Sequence, residues 1–112
     1  MKKRVLKIIL DIWAGPIWGY EYDEIFKKYT CGIDVLDNDS ELIKLHNEIQ
    51  NLYSSYYHIN YKDMPVYFDF EQEKNDKEKM LSLLSKLNKR LEELNDGSFT
   101  VEDLETERVK NL

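Results

Sequence analysis

The chain is poor in the residues that usually announce a chemistry. Among 112 residues there is one cysteine, Cys31, so no internal disulfide can form and nothing points to an oxidising compartment. There are four glycines, and Gly15 and Gly19 bracket Pro16 and Trp18 instead of opening a helix, so no Gly-rich phosphate loop is present. The two histidines, His46 and His58, have no serine or cysteine motif around them and suggest no catalytic triad. With Cys31 they also lack the close ligand pairs of a zinc site, while Asp37 and Asp39 lack the glycine and glutamate of a calcium loop. The expectation is a protein that is not an enzyme, with no catalytic residue, no metal and no cofactor. No run of about 20 apolar residues is present, as a membrane span would need. The basic start (Lys2, Lys3, Arg4) leads into an apolar stretch that carries Lys7 and Asp11 and has no small-residue cleavage site. A cytoplasmic protein with no membrane contact is expected.

Positive charge is also scarce. There are 16 Lys and Arg against 22 Asp and Glu, a net charge of −6, and the excess is local. Met1 to Trp13 holds four basic residues and one acid, whereas Ala14 to Glu41 holds seven acids (Glu21, Asp23, Glu24, Asp34, Asp37, Asp39, Glu41) against Lys27 and Lys28. Such a segment repels nucleic acid and favours a basic partner; the plainer reading is that it keeps the protein soluble.

A chain of this length makes one domain, residues 1–112, able to remove roughly 65% of its unfolded surface from water without a metal or disulfide. The organising stretch is Val5 to Gly19. Its Leu6, Ile8, Leu10 and Ile12 alternate onto one apolar face, opposite Val5, Ile9 and Trp13, which predicts a central strand from Arg4 to Trp13. The Ala14-Gly15-Pro16 corner ends it, with Pro16 and Trp18 as structural residues. From Ile17 to Asn38 no template fits, and long connections of this kind are often functional. Leu42, Leu45, Ile49, Leu52 and Tyr56 stack on one face of a helix from Ser40 to Tyr57, capped from the Asn38 to Ser40 cluster. Val66 to Phe70 has strand composition, with Pro65 suited to an edge, and Glu71 to Asn75 reads as a polar link. A second helix spans Asp76 to Asn95, with Met80, Leu84, Leu87, Leu91 and Leu94 as its stripe, Asn75 as its cap and Gly97 past its end. Ser98 to Val101 forms a last strand, and 102–112 is a short turn of helix or a frayed tail. The expected fold is α+β: a small three- to four-stranded sheet with two amphipathic helices packed on one face.

What remains for function is an aromatic and acidic surface. Tyr20, Tyr22, Tyr29, Tyr57, Tyr61 and Tyr67 fall near Glu21, Asp23, Glu24, Asp63 and Asp69. Tyrosine buries a large rigid area and keeps a hydroxyl for hydrogen bonding, so it is favoured at interfaces, and neighbouring acids would pair with a partner's lysines and arginines. Each ring could equally finish a small core.

The order of features resembles the cytoplasmic immunity proteins of bacterial polymorphic toxins, including those of contact-dependent growth inhibition systems. In that pattern a first strand ends in Asp-x-x-x-x-Pro-Leu/Ile-Trp, here Asp11, Pro16, Ile17 and Trp18. A helix with aromatics at its end (Leu42 to Tyr57), an aromatic segment (Tyr67 to Phe70), a Leu-rich helix (Met80 to Leu94) and a terminal strand (Phe99 to Val101) follow. The resemblance implies a monomer that binds the C-terminal toxin domain of its own locus 1:1, often a basic nuclease, and neutralises it. The contact residues it suggests are Tyr20, Glu21, Tyr22, Asp23, Glu24, Asp34, Asp37 and Asp39, with Asp69 and Glu71. Two other readings stand beside it. A non-catalytic adaptor predicts no toxin gene alongside, and an enzyme predicts a pocket in which His46 or His58 meets a carboxylate.

Overall fold

The computed structural model describes residues 4–11, 15–25, 27–37, 39–58 and 67–112, with backbone alone at Glu21 and Lys28. Ile12, Trp13, Ala14, Asn38, Tyr61, Asp63, Pro65 and Val66, each part of an expectation above, lie outside the described residues. The chain is mixed α+β. In order it forms β1 (Arg4–Ile8), β2 (Glu21–Asp23), β3 (Lys28–Thr30), α1 (Ser40–Ser54), β4 (Tyr57–His58), β5 (Tyr67–Phe68), α2 (Phe70–Asn75), α3 (Lys77–Leu94), β6 (Phe99–Asp103) and α4 (Thr106–Lys110).

The sheet differs from expectation. Instead of one sheet of three or four strands, the described residues form three separate two-stranded pairings: β1 parallel to β6, β2 antiparallel to β3 and β4 antiparallel to β5. The first strand is also shorter than expected, and is irregular at Ile9 and Leu10. After a cis Gly15-Pro16 bond the run from Pro16 to Trp18 lies back along β1, where the Ile9 N–H donates to the Pro16 carbonyl at 2.9 Å and the Trp18 N–H to the Lys7 carbonyl at 3.0 Å. With the Ile8–Ile17 bridge, this return run gives β1 a partner on the edge away from β6, but it is too short to count as a strand.

Alternation along β1 holds. Leu6, Ile8 and Leu10 are buried with Phe99 of β6, while Val5 is 57% exposed on the other face. α1 and α3 pack on each other and on the buried face, bringing Leu42, Leu45 and Ile49 against Met80, Leu84, Leu87 and Leu91 in one continuous core. Each such fully buried aliphatic side chain contributes about 2 kcal/mol relative to exposure.

The helix ends show which sequence signals held. Asp39 caps α1, its Oδ2 accepting from the Leu42 N–H at 2.9 Å. α1 stops at Ser54, where the Ser55 hydroxyl donates to the Leu52 carbonyl at 2.6 Å, so Tyr57 belongs to β4 and not to the helix. Glu71 to Asn75 is not a link but most of α2, which also takes Phe70 from the expected strand. Asn75 ends α2 and does not cap α3, whose N-cap residue is Asp76. The last strand runs on to Asp103, and the tail is helical: α4 buries Val109 completely. The Asp103 carboxylate accepts from the Glu105 and Thr106 N–H groups and the Thr106 hydroxyl, and from Asn88 of α3 at 2.9 Å. These bonds hold α4 on α3, so the tail does not fray.

Candidate interaction surface

The stretch without a periodic pattern resolves into the β2–β3 hairpin followed by a turn at 34–37. Its aromatic rings run in a line from core to surface. Tyr20 is 2% exposed, donates its hydroxyl to the Leu36 carbonyl at 2.8 Å, and stacks on Tyr29 at 5.7 Å. Burial pushes its phenol well above the ordinary range, with the Cys31 thiol and the Asp39 and Asp37 carboxylates adding to the shift. Tyr29 meets Tyr22 edge-on at 5.5 Å, and Tyr22 is half exposed. Of this trio, Tyr22 leaves its ring half in water and Tyr20 belongs to the core.

The expected acids divide in the same way. Glu24 and Asp34 are exposed. Asp23 accepts from the Ile25 N–H at 2.8 Å, and Asp37 from the Cys31 N–H at 3.1 Å, so both shape the loop. Asp39 is held twice, by its capping bond and by a two-pronged pair with Arg90 of α3, Nη2 to Oδ1 at 2.7 Å and Nε to Oδ2 at 3.1 Å. The Arg90 hydrogen bond holds its carboxyl below the usual range against the opposing effect of burial. Glu21 is placed by its backbone in β2. Exposed apolar side chains border this region: Ile25 at 87%, Trp18 at 49%.

Asp69 and Glu71 lie apart from the hairpin, at the start of α2. Asp69 caps the helix, accepting from the Gln72 N–H at 2.9 Å, and also accepts from His58 Nε2 at 3.0 Å. The capping bond first, and the His58 bond second, hold its carboxyl below the usual range. This is the histidine–carboxylate contact that an enzyme reading asks for. Its other ties are structural: it clips β4 to the N-terminus of α2, and His58 lies against Tyr67, its cross-strand neighbour, at 5.0 Å. Glu71 is exposed.

His46 is a core residue. It is 2% exposed, sits 5.2 Å from the Tyr20 ring, and its Nδ1 accepts from the Ile17 N–H at 3.4 Å, which leaves the proton on Nε2. Burial lowers its pKa to about 4. A depressed folded pKa means that the unfolded chain, near 6.5, binds the proton more readily, so stability falls as pH drops from about 6.5 towards 4. The expected loss between pH 7 and 5 is about 2 kcal/mol. Urea titrations of the protein and of His46→Gln should show that slope in the first and its absence in the second.

Among the described residues no group of three or more His, Cys, Asp or Glu side chains converges on a metal position, and no helix is long and apolar enough to cross a membrane. Reading the sequence did not single out Arg90 or Arg108, because their partners Asp39 and Glu73 lie 51 and 35 residues away, outside the reach of a local pattern. It also missed the exposure of Ile25 and Phe70, since each stands in a stretch of mixed pattern. Comparison with known protein families, with curated proteins and with solved structures finds no match.

Proposed function

We propose that the protein is an immunity-type binding protein of the cytoplasm, which neutralises a cognate basic toxin domain by forming a 1:1 complex and performs no chemistry itself. The supporting observation is the hairpin region. Tyr22 and Ile25 keep more than half of their area in water and Trp18 keeps 49%, in a segment that also carries the exposed carboxylates of Glu24 and Asp34. Apolar area that a small fold leaves out, with carboxylates nearby, is the pattern of a protein-binding site, with rings as anchors and charge as steering. A basic nuclease is the fitting partner because the carboxylates can take the place of the phosphates that its site is built to hold.

The test is calorimetric titration against the toxin domain encoded beside this chain, with loss of that toxin's activity as the second readout. Reversing two charges together, Asp23→Lys with Glu24→Lys, is expected to weaken binding about tenfold and to flatten its dependence on salt, since these charges act within a Debye length of about 8 Å at 0.15 M. Unchanged affinity and salt slope would remove the hairpin from the contact surface.

A further inference from the structure

We infer that the corner where β5 enters α2 is a second contact patch, and that it takes an arginine-bearing segment of a basic partner; the inference rests on the reading of the protein as a binder of basic domains. Phe70 is 74% exposed and Tyr67 55%, although Phe68 between them is half-buried and packed against the core. The fold gains little from these two rings, yet it holds them firmly. Phe70 meets Phe68 edge-on at 4.8 Å, Phe68 meets Tyr57 at 5.0 Å and Tyr53 at 5.5 Å, and Tyr67 lies over His58 at 5.0 Å. Rings held in place lose little conformational freedom on binding, which is what makes an anchor effective.

The partner's chemistry follows from the charges. Asp69 stands between the two rings in sequence and Glu71 directly after them. His58 and the Gln72 amide fix the Asp69 carboxylate, and Glu71 is exposed in the first turn of α2. An aromatic face attracts a cation, a neighbouring carboxylate attracts the same cation, and guanidinium answers both because it is planar, always charged and weakly hydrated. A neutral apolar partner would leave these carboxylates facing apolar surface, and an acidic one would be repelled.

The test uses a hexa-arginine peptide and its neutral isostere, hexa-citrulline, titrated into the isotopically labelled full chain and read by amide NMR shifts. Hexa-arginine is expected to move the amides of residues 57–58 and 67–71, at least fivefold more tightly than hexa-citrulline. Phe70→Ala, which removes an exposed ring and leaves the remaining spectrum in place, should weaken binding at these amides several-fold while any shifts at the β2–β3 hairpin persist. Glu71→Lys provides a second variant that retains Phe70 and should give the same local loss. Shifts confined to the hairpin, equal response to both peptides, or no effect of either variant would each overturn the patch. The measurement needs no toxin. A failure here with an intact toxin complex would remove this patch alone, whereas local arginine binding without any toxin partner would leave the patch standing and the immunity reading without support.

Discussion

Arg108→Met is expected to lower the free energy of unfolding at pH 7 by about 3 kcal/mol, because removing the cation strands two buried carboxylates. Arg108 of α4 donates from Nη2 to Glu73 Oε2 at 2.9 Å and from Nε to Glu105 Oε2 at 2.6 Å. Glu73, on α2, and Glu105 are 3% and 8% exposed, and Glu105 Oε1 also accepts from the Leu10 N–H at 3.2 Å, just beyond β1. One guanidinium therefore joins the C-terminal helix, the second helix and the end of the first strand. Arg108 itself is 41% exposed, so its own pairing energy is reduced by water; the cost lies in the two carboxylates left without it.

Urea denaturation of the variant at pH 7 measures the loss. The triple variant Glu73→Gln, Glu105→Gln, Arg108→Met, which removes every charge and keeps an acceptor for Leu10, should recover most of the loss at pH 7. A single variant within 1 kcal/mol of the parent at neutral pH would show that the cluster is too hydrated to matter.

Gly15→Ala is expected to cost about 3 kcal/mol for reasons that no surface contact supplies. Gly15 has φ +67°, a left-handed conformation that costs an L-residue about 1 kcal/mol, and a Cβ built there falls 2.1 Å from the carbonyl oxygen of Ile9. The obstructing atom is backbone, and the Ile9 N–H is itself tied to the Pro16 carbonyl, so relief means shifting the return run away from β1. Gly19→Ala is the control. Its φ is +86° but nothing lies within 4 Å of its Cβ, so only the conformational part of about 1 kcal/mol is expected. Equal costs in thermal denaturation would mean that the corner opens freely.

Much of this organisation was legible before any coordinates. The leucine stripe of α3 and the apolar stripe of α1 emerged correctly because a 3.6-residue period over four turns leaves few alternatives, and Asp39 stood where a cap belongs. The short helix α2 was missed because its buried residue is Glu73, which no hydrophobic pattern reveals and which pairs with Arg108, 35 residues on. The tail read as sparse for the same reason, since four of its seven residues from Leu104 to Lys110 are charged and two of those four, Glu105 and Arg108, form the clamp.

The candidate surface was less legible than the fold. Composition identified an acidic, tyrosine-rich segment but had no means of ranking its members, since Tyr20 and Tyr22 differ in sequence by two positions and in environment by the whole distance from core to water. By itself the sequence determined the apolar stripes of α1 and α3, the apolar face of the first strand, the corner at Pro16 and the local sign of charge, all properties that a residue carries with its near neighbours. Tertiary structure decided which acids cap helices or pair with Arg90 and Arg108 and which face solvent, which histidine is buried neutral, and that Phe70 and Ile25 stay outside. Burial and charge pairing depend on groups brought together from distant parts of the chain, and their energies exist only once the chain has closed on itself.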